Sequence, residues 1–347
     1  MIKRIPSPTI LLPLLTVLAC DSSGSDPADD PEKAAALEVE AYVAGELDNL
    51  VTAVEALQAA APEPDADGWN ATDDADAVAR MRQHWHEARV SYERVEGAIA
   101  VLFPELDAST DERYDGFVEV EADSDLFDGE GVTGIHAIER ILWADAQPPE
   151  VVAFEMGLSN YAPAAYPADA AQAQAFRDEL AARLVADVHR MRDELEPVAL
   201  DAATAYGGVL GSIAEQLEKV ELAQTGEQES RYAQHTLADM RANLEGGAAI
   251  FAAFEPWLRS LDGGNEAADA VTGGMARIQA AYDALPGDAL PPVPETWSSV
   301  MPSDDDLATP YGSLHAMLTA EVDLDDPSSL LAAMVAAADL MDIPVAP

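Results

Sequence analysis

The chain has 347 residues and carries 65 Asp and Glu against 18 Lys and Arg, a formal net charge of −47 at pH 7. Such a polyanion repels nucleic acid, so we expect no nucleic-acid partner, whereas its charge suits cations. Hydrophobic residues make up 49% of the chain but aromatic residues only 6%, a composition that favours close-packed helices. At roughly 150 residues per domain, the length suggests two structural units.

The first 19 residues have the pattern of a secretory signal peptide. Lys3 and Arg4 precede an apolar run from Thr9 to Ala19, which is well below the ~18 residues of a membrane-spanning helix. The run ends in Val17-Leu18-Ala19-Cys20, similar to the lipobox of bacterial lipoproteins, where the cysteine is lipidated and becomes the new N-terminus. Because the chain has a single cysteine, an internal disulfide and a thiolate metal cluster are excluded.

These features predict a periplasmic lipoprotein of the cell envelope, held in the inner or the outer membrane by acyl chains on Cys20. Residues 20–33, rich in Ser, Asp and Pro, are expected to form a tether without a core of its own. The alternative is a plain secretory signal in which the cysteine is incidental.

Helical periodicity begins near Pro31 and predicts a first helix that ends at Ala61-Pro62. A second apolar stripe, from Val78 to Leu102, predicts one continuous bundle helix that Pro104 terminates. The acidic residues 104–130 lack periodicity and indicate a long, partly helical connection before a helix over Gly131–Ala146.

The second half of the chain shows further helical patterns. Helices are predicted over 168–195, 201–224, 229–260, 265–284, about 311–320 and about 327–341, with connecting segments at 147–167 and 286–310. Since no alternating strand pattern of useful length occurs, the predicted fold is all-α. We expect two four-helix-bundle-like halves packed together, covering about 34–150 and about 168–347.

Several catalytic signatures are absent from the sequence. His86-Glu87 begins like the zinc-protease HExxH motif, but Val90 occupies the position of the second histidine. His84 and His86 lie about 200° apart around a helix and cannot share one ion. The acidic loop 123–129 lacks the spacing of an EF-hand, and serine-hydrolase, phosphate-loop and dinucleotide motifs are missing.

The segment Gly134–Glu139 is the strongest candidate for chemistry. His136 and Glu139 are three residues apart, which places an imidazole beside a carboxylate at the edge of a buried helix face. Such a pair supplies two ligands for a metal site in a helical bundle. The alternative is a hydrogen bond on a helix surface without a metal.

Other acidic residues could complete such a site. Glu93 and Glu96 repeat the three-residue spacing on the preceding helix, and Glu96 lies closer to its apolar stripe. Asp111 and Asp115, four residues apart in the acidic connection, could add a further carboxylate.

On these residues the sequence resembles the imelysin-like family, which includes the periplasmic EfeO/EfeM components linked to iron uptake. Gly134–Glu139 matches the family's GxHxxE signature, and the segments 85–96, 102–113 and 216–247 look like its neighbouring blocks. The resemblance implies two bundle-like halves with a cation site near their junction. It implies metal-associated roles for His136, Glu139, Glu93, Glu96 and Asp111. Three further residues could line the cleft or could instead form a structural network, namely His235, Asp239 and Asn243.

We therefore expect a lipid-anchored envelope protein that captures iron for uptake through His and carboxylate ligands, with an iron-transport permease as a candidate partner. Ligands without thiolate favour iron over copper(I), but zinc and copper(II) also accept this set. The main alternative is a metallopeptidase of the imelysin type, in which HxxE supplies a ligand and a base. Because a third-ligand signature is missing, the enzyme hypothesis is the less favoured one. A binding module without metal is the third hypothesis.

Overall fold

The computed structural model describes residues 30–70, 72–196 and 199–345. No β-strand occurs in these ranges, and the predicted all-α class is confirmed. The α-helices are α1 Pro31–Ala59, α2 Ala75–Glu93, α3 Glu96–Leu102, α4 Pro104–Asp111, α5 Tyr114–Val118, α6 Gly134–Leu142, α7 Pro149–Glu155, α8 Ala170–Ala175, α9 Ala181–Leu195, α10 Ala202–Glu221, α11 Thr236–Arg259, α12 Gly264–Asp283, α13 Asp304–Leu307, α14 Pro310–Glu321 and α15 Leu330–Leu340. The predicted signal peptide, Cys20 and nearly all of the tether lie outside the described residues.

The long helix α1 is the central element of the first group of helices. Its first turn is capped by the Asp30 side chain, which accepts a hydrogen bond from the Lys33 backbone N–H, and Pro31 occupies a position that needs no hydrogen bond. Its apolar face packs against α2 and α9, while α2 and α9 both contact α6. Helix α9 follows residue 168 in the chain, yet its contacts are with α1, α4 and α6.

A second group is formed by α10, α11, α12, α14 and α15, which pack on one another. Helix α1 also contacts α10 and α11, and α3 packs on α10, so the two groups share a continuous apolar core. Within the described part of the chain, none of the helices is both long enough and apolar enough to traverse a bilayer.

The expectation of one continuous helix over 78–102 is wrong at Arg94 and Val95, where the chain turns between α2 and α3. The backbone of Gly246 on α11 lies so close that a Cβ there would be 2.0 Å from the Arg94 carbonyl oxygen. The apolar period continues through the break, so the sequence pattern does not reveal it. The turn allows Glu93 and Glu96 to face the same interior region.

The expectation of a helix beginning at residue 229 is also wrong, because residues 225–235 are irregular and α11 begins at Thr236. Gln234 has a positive φ of 55°, which is incompatible with a helix. Backbone N–H groups of this segment are consequently available to a side chain from α6. Elsewhere, the predicted connections contain short helices, namely α4, α5, α7 and α13.

The crossing of α3 and α10 brings two backbones into contact. A Cβ added at Gly97 would lie 2.6 Å from the Gly208 carbonyl oxygen, and one at Gly208 would lie 2.3 Å from that of Gly97. Only a pair of glycines permits this approach. The contact holds the start of α3, with Glu96, against the helix that carries Lys219.

Candidate metal centre

A cluster of charged side chains lies in the interior where α2, α3, α4, α10, α11 and the irregular segment 225–235 meet. Its acids are Glu93, Glu96, Asp111, Glu229 and Asp239, and its cations are Arg89 and Lys219. We call these seven residues the carboxylate cluster. Since charged groups are costly to bury unless they are paired, the packing of opposite charges is what permits the cluster to exist.

Arg89 stands at the centre of the cluster with no exposed surface. Its guanidinium pairs with Glu93 and Asp111 and lies 2.6 Å from Glu229 Oε1, while its Nε is 3.6 Å from Asp239 Oδ1. An arginine remains charged at any physiological pH. It therefore neutralises part of the negative charge permanently.

Lys219 reaches the same acids from α10. Its Nζ lies 3.1 Å from Glu93 Oε2, 3.0 Å from Glu96 Oε2 and 2.8 Å from Glu229 Oε2. Burial alone lowers the pKa of Lys219, but the three carboxylates outweigh burial and raise the pKa above its usual range. The ammonium group thus stays charged inside a ring of three carboxylates, the kind of surrounding that a metal ion also prefers.

His136 and Glu139, both buried on α6, form a hydrogen-bonded pair. His136 Nδ1 is 2.7 Å from Glu139 Oε2, and Glu139 Oε1 accepts hydrogen bonds from the backbone N–H groups of Tyr232 (2.9 Å) and Ala233 (2.8 Å). The carboxylate of Glu139 is thereby satisfied, and it fixes the direction of the imidazole. His136 Nε2 points to the cluster, 3.3 Å from Asp111 Oδ1.

Gly134 explains why the motif begins with glycine. It has a φ of +87°, and a Cβ there would lie 2.4 Å from the Thr110 carbonyl oxygen. This contact holds the start of α6 on the last turn of α4, which ends at Asp111. The close approach is what sets Asp111 beside His136.

The electrostatics of the cluster perturb several pKa values in opposite directions. Burial lowers the pKa of His136, but Asp111 outweighs that effect and, with Glu139, raises the pKa to about 9. Burial raises the pKa of Glu96 to about 7 despite the nearby Lys219 ammonium. Burial also raises the pKa of Asp111, yet Arg89 and His136 more than reverse this and hold it well below its usual range.

Two sets of ligand atoms in the cluster are close enough to share one ion. Those of Asp111, His136 and Glu229 lie within 4.8 Å of one another, and those of Glu93, Glu229 and Asp239 do so as well. A cavity of about 390 Å³ opens onto the cluster. The cluster residues that line it are Glu96, Asp111, Lys219 and Glu229, and its further acidic lining is Glu112, Asp115, Glu215 and Glu218.

The sequence-predicted site residues are therefore mostly brought together. Glu93, Glu96, Asp111 and Asp239 lie in the cluster, His136 faces it, and Glu139 stands behind His136.

The remaining candidates have other partners. Asn243 donates to Glu96 Oε2 at 2.6 Å and accepts from Gln216 at 2.9 Å, so it belongs to a structural network. Asp115 pairs with Arg231 at 2.7 Å. His235 lies on the far side of Asp239, 4.0 Å from its Oδ1.

Sequence reasoning missed three members of the cluster, namely Arg89, Lys219 and Glu229. The search considered ligands, whereas two of these residues are the counter-ions of ligands. A signal was available for Lys219, because a lone lysine in the apolar stripe of α10 requires buried acids to pair with. Glu229 follows α10 in an irregular segment and carries no periodic signal.

The sequence is similar to a known protein family and to named proteins. The family model described as Peptidase_M75: Imelysin matches residues 39–320. The protein named iron uptake system component EfeO of Escherichia coli (strain K12) is 28% identical over 222 residues, 64% of this chain and 46% of that protein. The protein of the same name from Shigella flexneri gives the same values. The chain thus spans about half the length of the curated relatives it matches.

Solved structures show the same fold. An imelysin-like protein from Psychrobacter arcticum 273-4 superposes with a TM-score of 0.54 at 13% identity, covering 85% of this chain and 92% of that one. A structure from Parabacteroides distasonis ATCC 8503 gives 0.51 at 12% identity, covering 91% and 97%. At these identities the likeness concerns the fold alone.

Proposed function

The chain belongs to the imelysin family, and we propose that it is a metal-binding component of an iron-uptake system. The observation that carries the proposal is the carboxylate cluster, in which acids from separate parts of the chain meet at an open cavity, with the buried imidazole of His136 within ligand distance of Asp111 and Glu229. Its likeness to proteins named as iron uptake system components supports iron as the cargo.

The proposed cargo position lies between Glu96, Asp111 and Glu229 at the inner end of the cavity. His136 Nε2 supplies the nitrogen ligand, because its other nitrogen is already bonded to Glu139. A set rich in carboxylate oxygen with one imidazole suits Fe²⁺, while Zn²⁺ and Cu²⁺ are the competitors.

Lys219 is the residue that we propose to move when the cargo binds. Its ammonium lies between Glu93 and two of the proposed ligands, Glu96 and Glu229, where it would repel an incoming cation. Lys219 also lines the cavity, so its flexible side chain has room to withdraw. Arg89 has no exposed surface, so we expect it to stay in place and to go on neutralising the carboxylates around it.

The same geometry does not favour the peptidase alternative. Both oxygens of Glu139 already accept hydrogen bonds, one from His136 and the other from two backbone N–H groups. A general base needs an oxygen that can reach a water molecule. We assign Glu139 the role of a positioning residue for His136.

The proposal is tested by measuring anaerobic Fe²⁺ binding to the purified chain by elemental analysis and calorimetry. Asp111→Asn and His136→Gln are expected to lose at least tenfold in affinity, because each removes a ligand. Matched controls are Asp262→Asn, an exposed acid, and His189→Gln, which bonds only to Glu55 on the surface. Unchanged Fe²⁺ binding in both cluster variants would refute the proposal.

The proposal includes a lipid anchor on Cys20, which places the protein at the envelope membrane beside an iron permease. It rests on the sequence of the signal peptide and the lipobox. In a bacterial host, the wild-type chain is expected in the membrane fraction with a lipid-modified N-terminus, and Cys20→Ser in the soluble fraction. Equal distribution of the two chains would exclude the anchor.

A further inference from the structure

A second group of polar atoms is buried next to the carboxylate cluster. His86 Nδ1, both ring nitrogens of His235 and both carboxylate oxygens of Asp239 have no hydrogen-bond partner among the described residues. The two imidazole rings are tilted at 45° to each other, with 4.3 Å between their centroids. His235 Nε2 is 4.0 Å from Asp239 Oδ1.

The fold brings these three side chains together from two elements. His86 lies on α2, and His235 immediately precedes α11, whose first turn carries Asp239. A separation of four residues puts His235 and Asp239 on one helix face. Trp85 and Trp143 pack beside this group, with ring centroids 5.2 and 5.5 Å from the centroid of the His86 ring.

Leaving these atoms unpaired is expensive. Each buried donor or acceptor without a partner loses the hydrogen bonds that water would supply, and a buried carboxylate loses more than a neutral group. Arg89 gives Asp239 only partial compensation, at 3.6 Å from its Nε. A cation held by one nitrogen of each ring and by the carboxylate would give all three residues a partner.

The two imidazoles are in the form that binds a metal. Burial lowers the pKa of both rings, that of His235 to about 3, so each keeps a lone pair at neutral pH. Ligand atoms ~2.0–2.1 Å from a tetrahedral ion lie roughly 3.3 Å apart. The observed 4.0 Å between His235 and Asp239 is longer, and the three residues are not among the sets whose ligand atoms all lie within 4.8 Å. Binding therefore requires the side chains to rotate toward the ion.

We propose that His86, His235 and Asp239 form a second cation site that binds a borderline divalent ion of the Zn²⁺ or Cu²⁺ class. Two imidazoles and one carboxylate favour such ions over the harder ones that suit the carboxylate cluster. Asp239 lies between the two sites, with Arg89 on one side and His235 on the other. The proposal is independent of iron uptake, because none of the proposed Fe²⁺ ligands belongs to this group.

The experiment is a titration of the metal-free chain with Cu²⁺, followed by tryptophan fluorescence, electron paramagnetic resonance and elemental analysis. Cu²⁺ at this site is expected to quench Trp85 and Trp143 and to show coupling to two nitrogens. Because Cu²⁺ binds such ligands more tightly than Zn²⁺, Zn²⁺ is expected to compete with it only in large excess. The variant His136→Gln, which removes the imidazole that faces the carboxylate cluster, is expected to keep the two-nitrogen signal.

His86→Gln and His235→Gln are expected to lose one bound Cu²⁺ per chain together with the two-nitrogen signal, while their anaerobic Fe²⁺ binding remains. His84→Gln is the matched control, because His84 is on the same helix and bonds to Glu87 at 2.8 Å. Circular dichroism establishes that each variant is folded, and the half-buried His86 gives the milder substitution.

Two results would overturn the proposal. One is a Cu²⁺ stoichiometry and signal that stay the same in His86→Gln, which would mean that ordered water satisfies the group. The other is loss of all bound Cu²⁺ in His136→Gln, which would put the ion in the carboxylate cluster. Failure of Fe²⁺ binding alone would contradict the proposed function and leave the Cu²⁺ result standing.

Discussion

Replacing Lys219 by Met tests whether the cargo ion and the ammonium group occupy the same place. Methionine keeps the length and the apolar stem of the side chain but removes the charge that three carboxylates share. In the metal-free chain, the acids then face one another with Arg89 as their only cation in the cluster. We expect the variant to be less stable without metal and to bind metal more tightly.

The magnitude follows from the pairing. One pair at 4 Å is worth about 4 kcal/mol at an effective dielectric constant of about 20, and the desolvation of the ammonium offsets much of the total. Removing one partner of a buried pair costs about 3–5 kcal/mol. If Lys219 withdraws when the ion binds, the substitution does not change the free energy of the metal-bound state. The whole destabilisation of the metal-free state then adds to the free energy of metal binding. A loss of ~3 kcal/mol corresponds to roughly a hundredfold gain.

The assay is urea-induced unfolding of the wild type and Lys219→Met, each without metal and with saturating Mn²⁺, a probe that is stable in air. We expect the destabilisation to appear without metal and to vanish with it. Lys33→Met, an exposed lysine on α1, is the matched control and should change neither quantity. An equal destabilisation with and without Mn²⁺ would mean that the ammonium stays in the ring, and the displacement argument would be wrong.

Three further predictions concern the residues around the imidazole. Glu139→Gln should lower the affinity for Mn²⁺ about 10–100-fold, as measured by calorimetry. Its single amide oxygen cannot both accept the hydrogen bonds of the two backbone N–H groups and hold His136 in place. An affinity equal to that of the wild type would show that Glu139 does not position His136. The affinity for Mn²⁺ should fall by up to tenfold per pH unit from pH 9 to 7, because His136 takes up a proton in this range. It should fall more steeply below pH 7, where Glu96 is protonated as well. An affinity that calorimetry finds independent of pH would contradict this. Gly134→Ala should lower the free energy of unfolding by at least ~1–3 kcal/mol, because the backbone has a φ of +87° and the added Cβ would clash with Thr110. An unchanged urea midpoint would contradict this prediction.

Local spacing predicted much of the site. A three-residue step puts His136 and Glu139 on one helix face, whatever the rest of the chain does. Glu93 and Glu96 lie near each other for another reason, the turn between α2 and α3. Apolar periodicity likewise predicted most of the long helices, because burial of one face is what stabilises them.

The features that local pattern missed depend on contacts between distant segments. The turn at Arg94 is associated with the backbone of Gly246, and the irregular segment before α11 donates N–H groups to Glu139. At Arg94 the apolar period runs on while the hydrogen bonding of the backbone changes. Glu229 enters the cluster through that same segment, so its role could not be seen before the helix start was known.

The two cations of the cluster differ in a way that suits reversible loading. Arg89 is enclosed and always charged, whereas Lys219 lines the cavity on a flexible stem. In the proposed mechanism, entry of a divalent ion would displace one ammonium from the ring, and His136, whose pKa is about 9, would release one proton. Two single positive charges would thereby be exchanged for one double charge. The net charge of the site would be the same before and after, so the acids would remain compensated in both states.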